Sequence, residues 1–224
     1  MYRVVEAVKR QYASSRRQEQ ARETRLRIIA AAQELFVAQG YGRTTMADVA
    51  RAAGVAVETV YAAFRNKPAL LRRVWFVGFR GDDEEVRLLD RPETQALLAE
   101  PDLAIRLRAQ AAFMTPVFRR IGPLLLALRG AAASEPAAAD MLAEFDQLRL
   151  DAATQYARMA RETGRLRVSE TECRDVLAAT MDGSLWQRLV AECGWTEDRF
   201  AAWLGELWIS MLVRPDAGPP TSGG

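Results

Sequence analysis

The sequence predicts an all-α fold, in which a small N-terminal three-helix unit is joined by a connecting helix to a larger helical body. Three observations carry that reading. Apolar residues recur at three- and four-residue spacing over most of the chain, and no period-two alternation persists. Half of the 224 residues are hydrophobic, enough to fill one good core or two modest ones. Finally, Gly, Pro and Ser fall in clusters between the periodic stretches, where helices stop and start.

Residues 1–20 are polar and basic, with Lys9, Arg10, Arg16 and Arg17, and read as a basic arm or as a frayed extension of the first helix. The first full helix is expected from Arg22 to Gln39, with Ile28, Ile29, Ala32, Leu35 and Phe36 on one face and Gly40 as its stop. Two short helices and a longer one follow, up to about Phe79. Asp82-Asp83-Glu84-Glu85 reads as a solvated linker, and with Arg91-Pro92 it marks the boundary between a unit at 21–80 and a larger one at 81–214. Beyond it, helices are expected near 102–120, 123–133, 136–163, 170–192 and 196–213. Pro101 and Pro136 suit first turns, Gly122-Pro123 breaks the chain, Gly164 ends a helix, and Ser169 with Glu172 makes a capping pattern. Residues 215–224, rich in Pro, Gly and Ser, read as a disordered tail.

The segment from Thr44 to Leu70 is the most informative. Thr45 with Asp48 signals the start of a helix from Met46 to Ala53, and Gly54 stops it, since glycine turns left-handed at little cost. Val57 to Phe64 forms the next helix, with Val60 and Phe64 inward. A small residue at the crossing (Ala50), a glycine in the turn (Gly54) and an aliphatic lock (Val60), backed by Phe64, are what a helix-turn-helix needs. A plain αα-hairpin explains those residues equally well but not the charge: residues 1–80 hold 15 basic and 6 acidic groups. Arg43, Thr44, Thr45, Arg51, Thr59, Tyr61, Arg65 and Lys67 are candidates for phosphates. Val57, Glu58, Thr59 and Ala62 are candidates for base edges, with Glu58 equally explained as a favourable first-turn charge. Double-stranded DNA is therefore the expected partner, with Arg16, Arg17, Arg22 and Arg25 adding non-specific affinity.

The run from Arg25 to Leu71 resembles the DNA-binding domain of the TetR family through Phe36, Gly40, Tyr41, Thr44, Thr45, Ala50, Gly54, Val55, Val60, Tyr61, Phe64, Lys67 and Leu70. The resemblance implies that the helix from Val57 is the recognition helix and that Thr45, Tyr61 and Lys67 contact phosphates. Ala56 departs from the Ser or Thr frequent there, so no side-chain cap or contact is carried over to it. It further implies that the larger domain binds a small-molecule effector and dimerises, so that a transcriptional repressor is released from a palindromic operator.

For the homodimer interface the candidates are Leu185, Trp186, Leu189, Trp203, Leu207 and Trp208, on stripes that could also face the protomer core. For an effector pocket they are Trp75, Phe79, Phe113, Met114, Phe118, Phe145, Tyr156 and Met159, with Gln110, Thr115, Arg119 and Thr180 as polar partners; core packing accounts for most of these equally well. The chain has no histidine and two cysteines, Cys173 and Cys193, placed on roughly opposite faces of one expected helix. No disulfide, metal site or cofactor is expected, and no nucleophile elbow or glycine-rich phosphate loop suggests an enzyme. The alternatives are a ligand-independent regulator, an activator, and, from another class, an enzyme or a plain helical interaction module. Met1-Tyr2-Arg3 opens no apolar leader and Leu124–Leu128 is too short to cross a bilayer, so a cytoplasmic protein without membrane contact is expected.

Overall fold

The computed structural model describes the backbone of residues 2–215 and the side chains of residues 16–215. Helix α1 spans Tyr2–Gln39, so the basic N-terminal stretch continues the first helix rather than forming a separate arm. The side chains of Lys9 and Arg10, and the tail at 216–224, lie outside the described residues. The two short helices fall where expected, α2 at Met46–Ala53 and α3 at Val57–Phe64, followed by α4 at Lys67–Arg80. A 3-10 turn at Leu88–Asp90 and the short α5 (Pro92–Leu98) lie at the expected domain boundary, where the sequence predicts no helix. Pro92 at the first helical position with Glu93 in the first turn was the signal for α5.

The largest departure is α6, one helix from Leu103 to Ala132 in place of two. Pro116 and Pro123 lie inside it, and each removes an amide at a cost of about 3 kcal/mol. Burial outweighs them: the helix buries Leu103, Leu107, Met114, Val117, Phe118, Ile121, Leu124, Leu125 and Leu128, each contributing about 2 kcal/mol. Gly122, lacking a Cβ, also relieves the clash that a proline imposes on the residue before it. Its first turn is capped by Asp102, which accepts from the Ala104 and Ile105 amides at 2.8 and 3.0 Å, so Pro101 precedes the cap instead of opening the helix. By length and composition α6 could cross a membrane; α4, α7 and α10 pack around it and bury much of its apolar surface, while Ile105 and Leu126 stay exposed.

Helix α7 spans Pro136–Glu162, with Pro136 at its first position. The expected 170–192 helix is broken. Helix α8 (Glu170–Thr180), capped by Ser169, stops at Met181–Gly183, and the chain resumes as α9 (Ser184–Trp186) running into a π-helical turn at Gln187–Glu192. Asp182-Gly183 is the cause: Gly183 has φ +84°, and Asp182 accepts from the Ser184 amide at 2.8 Å. Cys173 and Cys193, both free, therefore do not share one continuous helix. The last helix, α10 (Glu197–Leu212), is capped by Thr196 and packs along α6. No strand forms among the described residues; one antiparallel bridge, Leu166 to Val213, pins the end of α10 to the loop after α7.

Candidate functional site

The α2–α3 unit is set by local chemistry. Thr45 accepts from the Asp48 amide at 3.1 Å, and Asp48 accepts from the Thr45 amide at 3.1 Å, which closes a reciprocal capping box. Hydrogen bonds from Thr45 hold the Asp48 carboxyl below the usual carboxylate range. At the other end Gly54 takes φ +65° and ψ 38°, and the Val55 amide donates to the Ala50 carbonyl at 3.0 Å. Ala50, Val60 and Phe64 are all buried, so α3 is locked on α2 by one edge. Its opposite edge carries Glu58, Thr59, Tyr61 and Ala62 in solvent, with Val57 half-buried beside them. Arg65, which ends α3, adopts φ +59°, the one non-glycine with a positive φ among the described residues. Ordinary residues pay for that conformation, and nothing in the sequence signalled it.

One of the candidate phosphate contacts is committed to the fold, and a second is partly engaged in it. Thr44 is wholly buried, and its hydroxyl donates to the Gly40 carbonyl at 2.9 Å, so it braces the α1–α2 loop and is not available to a phosphate. Lys67 donates to the Tyr41 carbonyl at 3.1 Å and lies 4.2 Å from the Tyr41 ring centroid, which ties the same loop to the start of α4. Arg43 and Arg51 are exposed. Arg22 makes a two-pronged pair with Asp83, at 2.7 and 2.8 Å, so its charge serves α1 and the loop after α4 rather than lying free for DNA. Asp82 likewise pairs with Arg91 at 2.7 Å, so the first half of the acidic stretch is a clasp, while Glu84 and Glu85 stay exposed as expected of a solvated linker. The Asp82 and Asp83 carboxyls sit below the usual range, chiefly through these arginine hydrogen bonds.

Helix α4 leads from this head into the larger half. Leu70, Leu71 and Val74 are buried near its start, while Trp75, Phe76, Phe79 and Arg80 border a cavity of about 160 Å³ near its end. Met114 and Ile121 of α6, Phe145, Arg149 and Tyr156 of α7, Arg87 of the loop after α4, and Met181-Asp182 are also in the wall. Trp75 stacks on Phe145, centroids 4.0 Å apart and planes 10° off parallel. Burial pushes the Tyr156 phenol up to about 12. Trp75, Phe79, Met114, Phe145 and Tyr156 thus line the cavity, and three other candidates do not. Phe118 is wholly buried edge-on to Phe200, and Phe113 and Met159 are half-buried outside the wall. Gln110, Thr115, Arg119 and Thr180 are also outside it: Thr115 bonds back to the Ala111 carbonyl, Arg119 faces Glu197, and Thr180 accepts from Trp208 at 2.8 Å. The arginines and Asp182 in the wall were not among the sequence candidates, because charged residues at these helix positions read as solvated.

On the last helices, Trp208 is fully buried and Trp186 nearly so, both within the protomer. Leu185, Leu189, Trp203 and Leu207 are half-buried and Met211 is exposed. The first four pack partly against the core and leave the rest of their apolar surface uncovered.

Residues 28–74 match the family model described as bacterial regulatory proteins, tetR family. The HTH-type transcriptional regulator TtgR of Pseudomonas putida is 46% identical over 57 residues, which cover 25% of this chain and 27% of TtgR. The matched stretch is thus about a quarter of that relative's length. Among solved structures, NalD, the secondary repressor of the MexAB-OprM multidrug efflux pump in Pseudomonas aeruginosa, superposes with a TM-score of 0.63 at 24% identity, covering 88% of this chain and 98% of NalD. A SmeT–triclosan complex gives a TM-score of 0.65 at 21% identity, with coverage of 90% and 98%. At these identities the structural likeness is one of fold, and it extends over both halves of the chain.

Proposed function

We propose, from the premise that this chain carries the DNA-binding domain of the tetR family of bacterial regulatory proteins, that it is a cytoplasmic, homodimeric repressor released from a palindromic operator by a small molecule. The observation that carries the reading is α3. Its inner edge is clamped by Val60 and Phe64 while Glu58, Thr59, Tyr61 and Ala62 stand in solvent on a two-turn helix, the arrangement that lets a helix enter a major groove. The half-buried face of Leu185, Leu189, Trp203 and Leu207 supports pairing with a second copy, which a palindromic site requires.

The cavity supports the sensing half of the proposal. It stays open at about 160 Å³ despite the Trp75–Phe145 stack, and its wall includes four residues of the same helix whose first turns belong to the DNA-binding head. A ligand there acts on DNA only through its differential affinity for two positions of α4. The relatives named as an efflux-pump repressor and as a triclosan complex agree with such a role.

Selection of bound duplexes from a random library tests this. The expected product is two inverted half-sites whose centres lie about one helical turn or a multiple apart. An unsymmetrical consensus, or none, contradicts it.

A further inference from the structure

We propose that the cavity beside α4 is selective for a planar aromatic ligand bearing an anionic group, its ring against the Trp75–Phe145 pair and its charge met by Arg149; this rests on the ligand-sensing reading above. The wall is apolar and aromatic except for Arg80, Arg87, Arg149 and Asp182. Asp182 is the single carboxylate there, and it is fully engaged. One oxygen accepts from Arg129 at 2.7 Å, and the other accepts from the Ser184 amide and hydroxyl at 2.8 and 2.5 Å. The one acid in the wall is thus already paired with a cation, Arg129.

The basic side is incompletely satisfied. Arg149 gives one Nη to Asp146 at 2.9 Å, while its Nε is buried and has no hydrogen-bond partner among the described residues. Arg149 lines the cavity with its side chain about one quarter exposed, and guanidinium–carboxylate bonds are about twice as strong as neutral ones, so a carboxylate that reaches its exposed edge is favoured over an amide. Arg80 reinforces the sign of the field: burial, then the neighbouring charges of Arg73 and Arg91, hold its pKa below the ordinary value. An anion in the cavity relieves that crowding and a cation adds to it. The ring requirement follows from the parallel Trp75–Phe145 stack with Phe76 edge-on to Phe145 at 6.3 Å, a surface shaped for flat π-systems. A cavity of about 150 Å³ is known to hold one benzene ring, so 160 Å³ sets the scale at a single ring with a small substituent.

The test is calorimetric titration of the full chain with three single-ring ligands of similar size: benzoate, neutral benzamide and cationic benzylamine. The acid is expected to bind at least about tenfold more tightly than the amide, with the amine weakest. In Arg149→Gln the preference of acid over amide should fall several-fold, and Arg149→Lys should restore part of it. Arg80→Gln, which should reduce the same preference, keeps the test open if Arg149→Gln does not fold. Equal or tighter binding of the amide or amine overturns the proposal, as does a preference that survives both glutamine variants, or no binding by any of the three. Operator binding measured in parallel separates the two claims. If the amide binds and releases DNA as well as the acid does, ligand sensing stands and the anionic preference falls.

Discussion

Arg120 of α6 grips the end of α4: its Nε donates to the Gly78 carbonyl at 2.6 Å, among the last carbonyls that a helix leaves without an amide. On the other side the Arg120 carbonyl accepts from Gln33 of α1 at 3.3 Å, beside the carbonyl that Pro123 leaves without a partner. One residue thus touches the helix that carries the DNA-binding head and the helix that borders the cavity, and its neighbour Ile121 is part of the cavity wall.

Replacing Arg120 with Ala should lower stability in urea by about 1–3 kcal/mol, the range for a hydrogen bond from a charged group. The same variant should bind a cavity ligand normally but respond to it weakly, so that DNA affinity with and without ligand differs less than in the parent. An unchanged response would show that α4 is coupled to the cavity by another route.

Gly54 isolates the backbone contribution. A Cβ built there meets nothing within 4 Å, so only the left-handed φ opposes a side chain. Gly54→Ala should therefore cost about 1–2 kcal/mol by thermal or urea unfolding, and Gly54→Asn distinctly less. Equal losses for the two would point to a steric clash instead.

The exposed edge of α3 and the cap of α2 should separate in mutagenesis. Thr59→Ala, on the exposed edge, should leave stability within about 0.5 kcal/mol while weakening operator binding by about 1–3 kcal/mol if the hydroxyl meets a base. Thr45→Ala should cost about 1 kcal/mol of stability through the lost cap, read in the same urea titration.

Alkaline pH should expose the buried phenols. Burial raises both Tyr156 and, with help from Glu135, Tyr41 to about 12, above the ordinary tyrosine value near 10. Because the folded state holds these protons longer than the unfolded chain, their contribution is intact below about pH 10 and is lost as pH rises through about 12. Phenolate absorbance followed with circular dichroism should show two late tyrosines whose ionisation accompanies unfolding. Full ionisation near pH 10 with the fold intact would contradict the burial of both.

The helix-turn-helix was legible because it is written in local chemistry: the Thr45–Asp48 box, Gly54 and the Val60–Phe64 spacing act within a few residues, and the bounds of α2 and α3 follow from them. The larger half depends on contacts distant in sequence. Pro123 reads as a break, yet burial of the whole length of α6 carries the helix through it. Asp182-Gly183 carried a turn signal inside an apparently continuous helical pattern. Thr44 and Thr45 look alike in sequence, but only the loop's closure onto α1 shows that the first is internal. Phe118 and Trp208 are ordinary core, indistinguishable by spacing from the aromatics that line the cavity. Arg149 was invisible as a wall residue because nothing in its neighbourhood of sequence reports that its Nε is enclosed.

The central claim, that α3 reads an operator as part of a dimer, is tested most directly by footprinting the DNA flanking this protein's own coding sequence across a salt series. The expected result is a protected, inverted-repeat site whose affinity falls steeply with salt, by a slope of about 0.9 per phosphate neutralised. Absence of binding to that DNA, or to any duplex at low salt, would contradict the claim.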